Sequence, residues 1–388
     1  MSITKSIEEI NQRIQKGEAV VMTAEEIIPL IEELGVAEVT KRVDVVTTGT
    51  FGPMCSSGVF LNFGHSDPPI KMKKVSLNGV SAYAGVAAVD AYLGATEQSD
   101  EDPSYGGAHV IEELLDGKSV ELEATATGTD CYIKREIKTQ ISLKDINEAF
   151  MFNPRNAYQN YAAATNSTHK AIHTYMGTLL PNCGNVTYST SGELSPLLND
   201  PQFKTIGIGS KIFLGGTVGY VAWHGTQHNT HKPCNEHNIP LGGGGTLSVV
   251  GDLKQMSKEY VRAAVYHNYG ISLFVGIGVP IPLLNEDITQ AVGIRNRDIH
   301  TKVFDYGVTS LSRPDFGIFS YEQLQSGSIE VNGKAVRTSP LSSISKARKI
   351  AAELKSWIQK GEFTLAAPTA PLPKPPAAQA LKEVKGDK

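Results

Sequence analysis

The chain has 388 residues, 40% of them hydrophobic and 20% charged, with a formal net charge of −4. That supports a packed core of roughly one large or two to three ordinary domains, and excludes global disorder. The charge balance and the lack of a basic run argue against nucleic acid, and no apolar run approaches a membrane span. Four cysteines in so long a chain do not make a disulfide framework. Their positions, 55, 131, 183 and 234, contain no CxxC, which disfavours iron–sulfur or structural zinc ligation. The 37 glycines suit a loop-rich, sheet-containing fold. The N-terminus is charged and amphipathic, without the apolar core of a signal peptide, so a reducing cytoplasm is the expected compartment.

Residues 4–16 read as a helix. Thr23-Ala24-Glu25-Glu26 is a capping box that opens a second helix through Leu34, ended by Gly35 and kinked or shortened by Pro29. The stretch from Val45 to His65 is the chain's chemical focus. A strand over Val43–Thr48 runs into Thr48-Gly49-Thr50 and then into Gly52-Pro53-Met54-Cys55-Ser56-Ser57-Gly58. Small neighbours and flanking glycines leave Cys55 accessible on a shaped loop, where sheet proteins place reactive atoms. The competing reading is a buried, inert cysteine. His65-Ser66-Asp67-Pro68-Pro69 closes the loop, with His65 a candidate substrate contact. Asn78-Gly79 marks a hairpin turn. Val86–Leu93 reads as a buried helix, Val110–Leu115 as a short helix, and Val120–Thr127 as an alternating strand.

That strand ends in Gly128-Thr129-Asp130-Cys131-Tyr132, which repeats the order strand, glycine, threonine, cysteine. Lys134 and Arg135 favour a thiolate there and Asp130 opposes it. Two cysteines at two strand ends form a candidate redox or sulfur-transfer pair. In Phe152-Asn153-Pro154-Arg155-Asn156, Asn153 is positioned to cap a helix with Pro154 at its first position. Asn153, Arg155 and Asn156 would then bind a small carboxylate at the helix start, or simply cap it with a solvated Arg155.

Leu194–Asp200 is a turn-rich loop, and Thr205–Leu214 a glycine-punctuated strand pair. Gly207-Ile208-Gly209 and Leu241–Gly245 complete no dinucleotide fingerprint, and no Walker A motif occurs. His224–His237 holds four histidines and a cysteine, at spacings that fit no common zinc module; a polar active-site loop is preferred, with His228 its member at the site. Thr246–Gly251 reads as a strand, Ser257–Val265 as a helix, and Ile271–Val279 as a buried strand. A hairpin turns at Asn332-Gly333, and a long amphipathic helix over Ser343–Lys360 stops at Gly361. From Ala367 the Ala/Pro/Lys-rich composition indicates a disordered tail. The expectation is a mixed α/β (α+β) chain with one catalytic domain over residues 1–366, flanking helices, and a tail over 367–388.

Several motifs carry a resemblance: GTFGPMCSSG, LNGVSAYAG, DAYLGAT, GGAHVIEELLDGK, GTDCY, FNPRNAYQNY, LSPLLNDP, KIFLGG, GTQH and GDLKQMS. Together, over about Val45 to Phe363, the chain resembles the homocysteine-biosynthesis family. The resemblance implies L-aspartate semialdehyde sulfurtransferase activity, with Cys55 and Cys131 as the functional thiols; Cys183 and Cys234 are not implicated. It implies sulfide or another sulfur donor, no tightly bound cofactor, and an external two-electron reductant resembling a ferredoxin-type iron–sulfur protein. Some relatives carry paired CBS regulatory domains after the catalytic region, which this chain is expected to lack. Cys131, with Lys134 and Arg135 nearby, is favoured as persulfide carrier and Cys55 as its partner, the reverse assignment being the alternative. Direct exchange predicts both cysteines in one cavity, within about 10 Å in Cα separation, lined also by Arg155 or His228, unless they meet across the interface of a homo-oligomer. The alternatives are a persulfide carrier serving another enzyme, or a metal enzyme built on His224–His237.

Overall fold

The computed structural model describes residues 4–310, 312–376 and 379–381. Its largest unit is a nine-stranded, entirely antiparallel sheet. The path through it runs from Val261–Tyr266 to Gly270–Gly278, Lys211–Leu214, Thr217–His224, Leu247–Asp252, Glu148–Asn156, Gly58–Asn62 and Asp90–Gly94. Thr50–Pro53 pairs with Gly270–Gly278 off this path. A mixed six-stranded sheet, centred on Ala163–Thr165 and Asn185–Tyr188, has its own core of Val186, Tyr188, Val303, Tyr321 and Leu324. A four-stranded antiparallel sheet contains Lys74–Leu77, Val80–Ala82, Val120–Thr125 and Glu136–Ile141. The mixed α/β class expected from sequence is therefore found. No helix among the described residues is long and apolar enough to cross a membrane.

The capping box read at Thr23 is realised, and the structure shows a second one at Ser6. Ser6 and Thr23 each exchange reciprocal hydrogen bonds with a Glu three residues on, opening Ile7–Lys16 and Ala24–Leu34. The second helix runs through Pro29 without being shortened. The long helix, Ile344–Gln359, ends before Gly361, whose φ of 74° explains that glycine. This helix lies against the entry strand to Cys55. A Cβ at Gly49 would stand 2.1 Å from the Ala347 carbonyl oxygen, and Thr47 Oγ1 donates to Ala351 O at 2.8 Å. The Thr-Gly-Thr step thus lets the helix pack onto the backbone that leads to the cysteine.

Three helix expectations are corrected. Phe152–Asn156 belongs to the strand Glu148–Asn156, so Asn153 caps no helix. Its ladder with Leu247–Asp252 slips between Asn153 and Asn156, and the slip accommodates Pro154, which has no N–H to donate. Val86–Leu93 contributes to the strand Asp90–Gly94, which pairs with Gly58–Asn62. Ser257–Val265 leads into the strand Val261–Tyr266. Two further segments hold more order than expected. Pro196–Asn199 forms a short helix. At the start of the tail, Ala370–Pro371 pairs with Gly207–Ile208, and Leu372 is buried. Residues 377–378 and 382–388 of the expected tail lie outside the described residues.

Candidate active site

Cys55 sits between two strands of the large sheet. Thr50–Pro53 enters beside Gly270–Gly278, and Gly58–Asn62 leaves beside Glu148–Asn156. The turn between them is tight: Met54 N donates to Leu273 O at 2.7 Å, and Ser57 N to Met54 O at 3.0 Å. Cys55 Sγ lies 3.1 Å from Ser272 Oγ. Fully buried Asn153 fixes the far side of the turn. Its Nδ2 donates to Ser57 Oγ at 2.7 Å, while its Oδ1 accepts from Arg155 N at 2.8 Å. One amide side chain thereby ties the cysteine turn to the strand that carries Arg155. The pair predicted as a helix cap is a latch between two strands.

Cys55 and Arg155 line one cavity of about 290 Å³, together with Thr50, Tyr158, Tyr161, Tyr175, Ser189, Thr190, Ser195, Gln227, Tyr269 and Ser342. Arg155 is the one charged side chain among the described residues lining it, and its buried Nε has no partner. Unmatched buried donors are rare in folded proteins, so this one points to an anion that completes it. Burial pushes the Tyr158 hydroxyl up from its ordinary pKa, against a pull down from Arg155 and with Cys55 adding to the rise. Burial and Cys55 likewise raise Tyr266 and Tyr269. The cavity thus sets the Cys55 sulfur and the Arg155 guanidinium among tyrosine, serine and threonine hydroxyls.

The other expected site residues lie elsewhere. Cys131 is exposed, in the loop after Val120–Thr125, and is not among the residues lining the Cys55 cavity. The common cavity expected from sequence is therefore not formed by these two cysteines within one chain. The Cys131 turn is self-contained. Thr129 N donates to Tyr132 O at 2.8 Å, Tyr132 N to Thr129 Oγ1 at 3.1 Å, and Thr129 Oγ1 lies 3.6 Å from Cys131 Sγ. His65 belongs with that turn, its ring stacked on Tyr132 at 5.8 Å. Asn156 is buried outside the cavity lining; its Oδ1 accepts from Ala157 N, and its Nδ2 has no partner.

His228 is buried in a neighbouring cavity with Gln159, Phe203 and Cys234, where its Nδ1 lies 3.0 Å from Thr246 N. Burial pulls its pKa down, the backbone at Thr246 opposes this, and His224 adds to the fall. Its neighbour Gln227, in the left-handed region at φ 63°, reaches the Cys55 cavity instead. Among the described residues no three His, Cys, Asp or Glu side chains are placed to hold a metal ion. His231 Nε2 lies 3.3 Å from Pro375 O, and His237 faces Glu236 and Asp298. The four cysteines are free thiols.

Sequence reasoning missed much of the lining. Tyr158, Tyr161 and Ser195 stand inside motifs already quoted, FNPRNAYQNY and LSPLLNDP, which were a usable signal. Tyr175, Tyr269 and Ser342 arrive from separate segments that carried none.

Residues 19–365 match the family described as homocysteine biosynthesis enzyme, sulfur-incorporation. The L-aspartate semialdehyde sulfurtransferase of Methanosarcina acetivorans is 52% identical over 382 residues, covering 98% of this chain and 74% of that protein. Its namesake from Methanocaldococcus jannaschii is 53% identical over 379 residues, covering 94% and 72%. An uncharacterized protein of Methanothermobacter thermautotrophicus is 31% identical over 341 residues, covering 84% and 73%. No solved structure matches.

Proposed function

The chain belongs to the homocysteine biosynthesis, sulfur-incorporation family, and from that premise we propose that it is an L-aspartate semialdehyde sulfurtransferase working in the Cys55 cavity. The observation that carries this is one cysteine and one arginine, its buried Nε without a partner, in a single cavity. Arg155 takes the substrate carboxylate, and the aldehyde carbon faces Cys55. Asn153 sets the spacing between the two. The balance is fixed by oxidation states: aldehyde, hydrogen sulfide, two electrons and two protons give homocysteine and water.

Exposed Cys131 takes up sulfur as a persulfide and passes it to Cys55; one S–S bond forms as the other breaks, and Cys131 leaves as thiolate. The terminal sulfur of the Cys55 persulfide, nucleophilic as its anion, attacks the aldehyde carbon, and the carbonyl oxygen takes a proton. The Cys131 thiolate then attacks Cys55 Sγ, forming a Cys55–Cys131 disulfide and freeing an α-hydroxythiol. Loss of water leaves a thioaldehyde, and two electrons with two protons give the thiol. In the next cycle hydrosulfide opens that disulfide to give the Cys131 persulfide and the Cys55 thiolate, so the disulfide is the two-electron oxidant of the sulfide and the net external demand is two electrons. An external donor of the ferredoxin-type iron–sulfur class supplies them, and no resident cofactor is invoked.

The test is sulfide-dependent homocysteine formation with a chemical reductant. Cys55→Ser and Cys131→Ser are expected to abolish it with folding intact, and Cys183→Ser and Cys234→Ser to retain most of it. Full activity of Cys55→Ser would refute the proposal. The exposure of Cys131 supports one rival, a persulfide carrier for another enzyme. A wild-type chain that loads sulfur without consuming the aldehyde would establish that rival.

A further inference from the structure

Reducing an aldehyde to a thiol consumes protons at the carbonyl oxygen, which leaves as water. Among the described residues lining the Cys55 cavity there is no Asp, Glu, His or Lys. A guanidinium is no proton donor to a carbonyl oxygen in a protein. The hydroxyls remain, and three tyrosine hydroxyls form a continuous line. Tyr161 Oη lies 3.2 Å from Tyr175 Oη, which lies 2.8 Å from Tyr306 Oη. Tyr161 and Tyr175 line the Cys55 cavity. Tyr306 does not; it lines a second cavity, with Tyr161, Ala162, Gly243, Phe304 and Arg313.

We propose that Tyr306, Tyr175 and Tyr161 are a hydroxyl relay that carries protons from this second cavity to the reacting aldehyde, on the premise that the site performs the reductive sulfur transfer above. Each hydroxyl both donates and accepts, and its hydrogen rotates, so the line has no fixed direction. Tyr175 or Tyr161 gives its proton to the carbonyl oxygen while taking one from the hydroxyl behind it. Tyr306 takes one from water, and no charge stays on any tyrosine.

The rings are held for this. Tyr175 meets Tyr161 edge-on at 6.3 Å and Tyr306 at 5.8 Å, and all three pack on buried Ala164, Met176 and Leu179. The Arg313 guanidinium sits 4.1 Å over the Tyr306 ring, and Tyr306 N donates to Thr165 O at 2.8 Å. Burial raises the Tyr161 and Tyr306 hydroxyls far above their ordinary pKa, so both stay protonated at any working pH.

Tyr306→Phe removes the outer hydroxyl without altering the lining of the substrate cavity. In an enzyme turning over aspartate semialdehyde, kcat is expected to fall about a hundredfold, the low side of general acid–base contributions. KM should stay unchanged and the solvent deuterium isotope effect on kcat should rise. Tyr175→Phe should lower kcat too. A second measurement needs no turnover: exchange with water of the Tyr175 hydroxyl proton, followed by NMR, should slow in Tyr306→Phe. Unchanged kcat in Tyr306→Phe, or unchanged exchange, would overturn the relay. Wild-type protein inactive on the aldehyde sinks the substrate assignment instead, and the exchange measurement then decides the relay alone.

Discussion

Arg155→Ala separates a substrate contact from a structural residue. The Arg155 backbone N–H, not its side chain, holds Asn153, so truncation leaves the Asn153–Ser57 latch and the cysteine turn in place. The side chain's buried Nε has no hydrogen-bond partner within the protein. An unmatched buried donor costs about 1–3 kcal/mol, so removing it should leave thermal stability unchanged or raised. With substrate bound, the same group makes a charge-assisted hydrogen bond worth about 1.5–3 kcal/mol. At about 1.4 kcal/mol per decade, that is a roughly ten- to hundredfold rise in KM for aspartate semialdehyde. Steady-state homocysteine formation at saturating sulfide, with the aldehyde varied, reads this directly, and kcat should change little. Arg155→Lys should fall between, because an ammonium keeps the charge but loses the planar fork. An unchanged KM in Arg155→Ala, or a KM effect accompanied by a lowered melting temperature, would refute the assignment.

Asn153→Ala leaves Ser57 Oγ and Arg155 N unpaired in a buried place, so stability should fall by about 2–4 kcal/mol, read by denaturant titration, with kcat lowered along with it. A variant as stable as wild type would remove the latch. Burial of neutral His228 predicts a pH effect. The unfolded chain binds a proton as pH falls below about 6.5 while the folded chain resists, so stability is full above that pH, falls below it, and levels off once the folded imidazole protonates too. Melting temperatures from pH 7.5 to 5.5 should show a slope that flattens in His228→Asn.

The legible parts of this protein were those where a short stretch settles its own structure. The capping box at Thr23, the Asn332-Gly333 turn and the Gly361 stop act within a few residues, and the sequence displays them. The Cys55 and Cys131 loops were visible for the same reason. Asn153-Pro154 misled because a first-turn proline and a bulged strand look alike locally. What decides between them is pairing with Leu247–Asp252 and Gly58–Asn62, far away in sequence. Val86–Leu93 was misread likewise, since its small residues become a strand only against Gly58–Asn62. The cavity was half hidden because Tyr175, Tyr269 and Ser342 reach it from loops with no chemical signature. Backbone conformation, which the sequence does not display, brings Gln227 to the Cys55 cavity and leaves His228 in the neighbouring one.

The two thiols differ in a way that bears on how sulfur would move. Cys131 is open to solvent, where it can meet a donor of any size, whereas Cys55 is half-buried in a walled cavity, where a persulfide is screened from stray thiols. A direct handover brings the sulfurs into contact, at Cα separations of about 4.4–6.8 Å. The Cys131 turn closes on itself through Thr129 and Tyr132, and is held to the body by the Tyr132–His65 stack and by Lys134 N donating to Pro69 O at 3.2 Å. Those are few contacts to break, so the turn can move as a unit. Mild oxidation of the resting enzyme should therefore trap a Cys55–Cys131 disulfide, found by peptide mapping. A bond within one chain means that the turn swings in, and His65→Ala should then speed trapping. A bond between chains means that a second copy supplies Cys131, and trapping should then depend on protein concentration. If neither bond forms while both thiols are essential to activity, direct handover is wrong, and sulfur must cross between them as free sulfide.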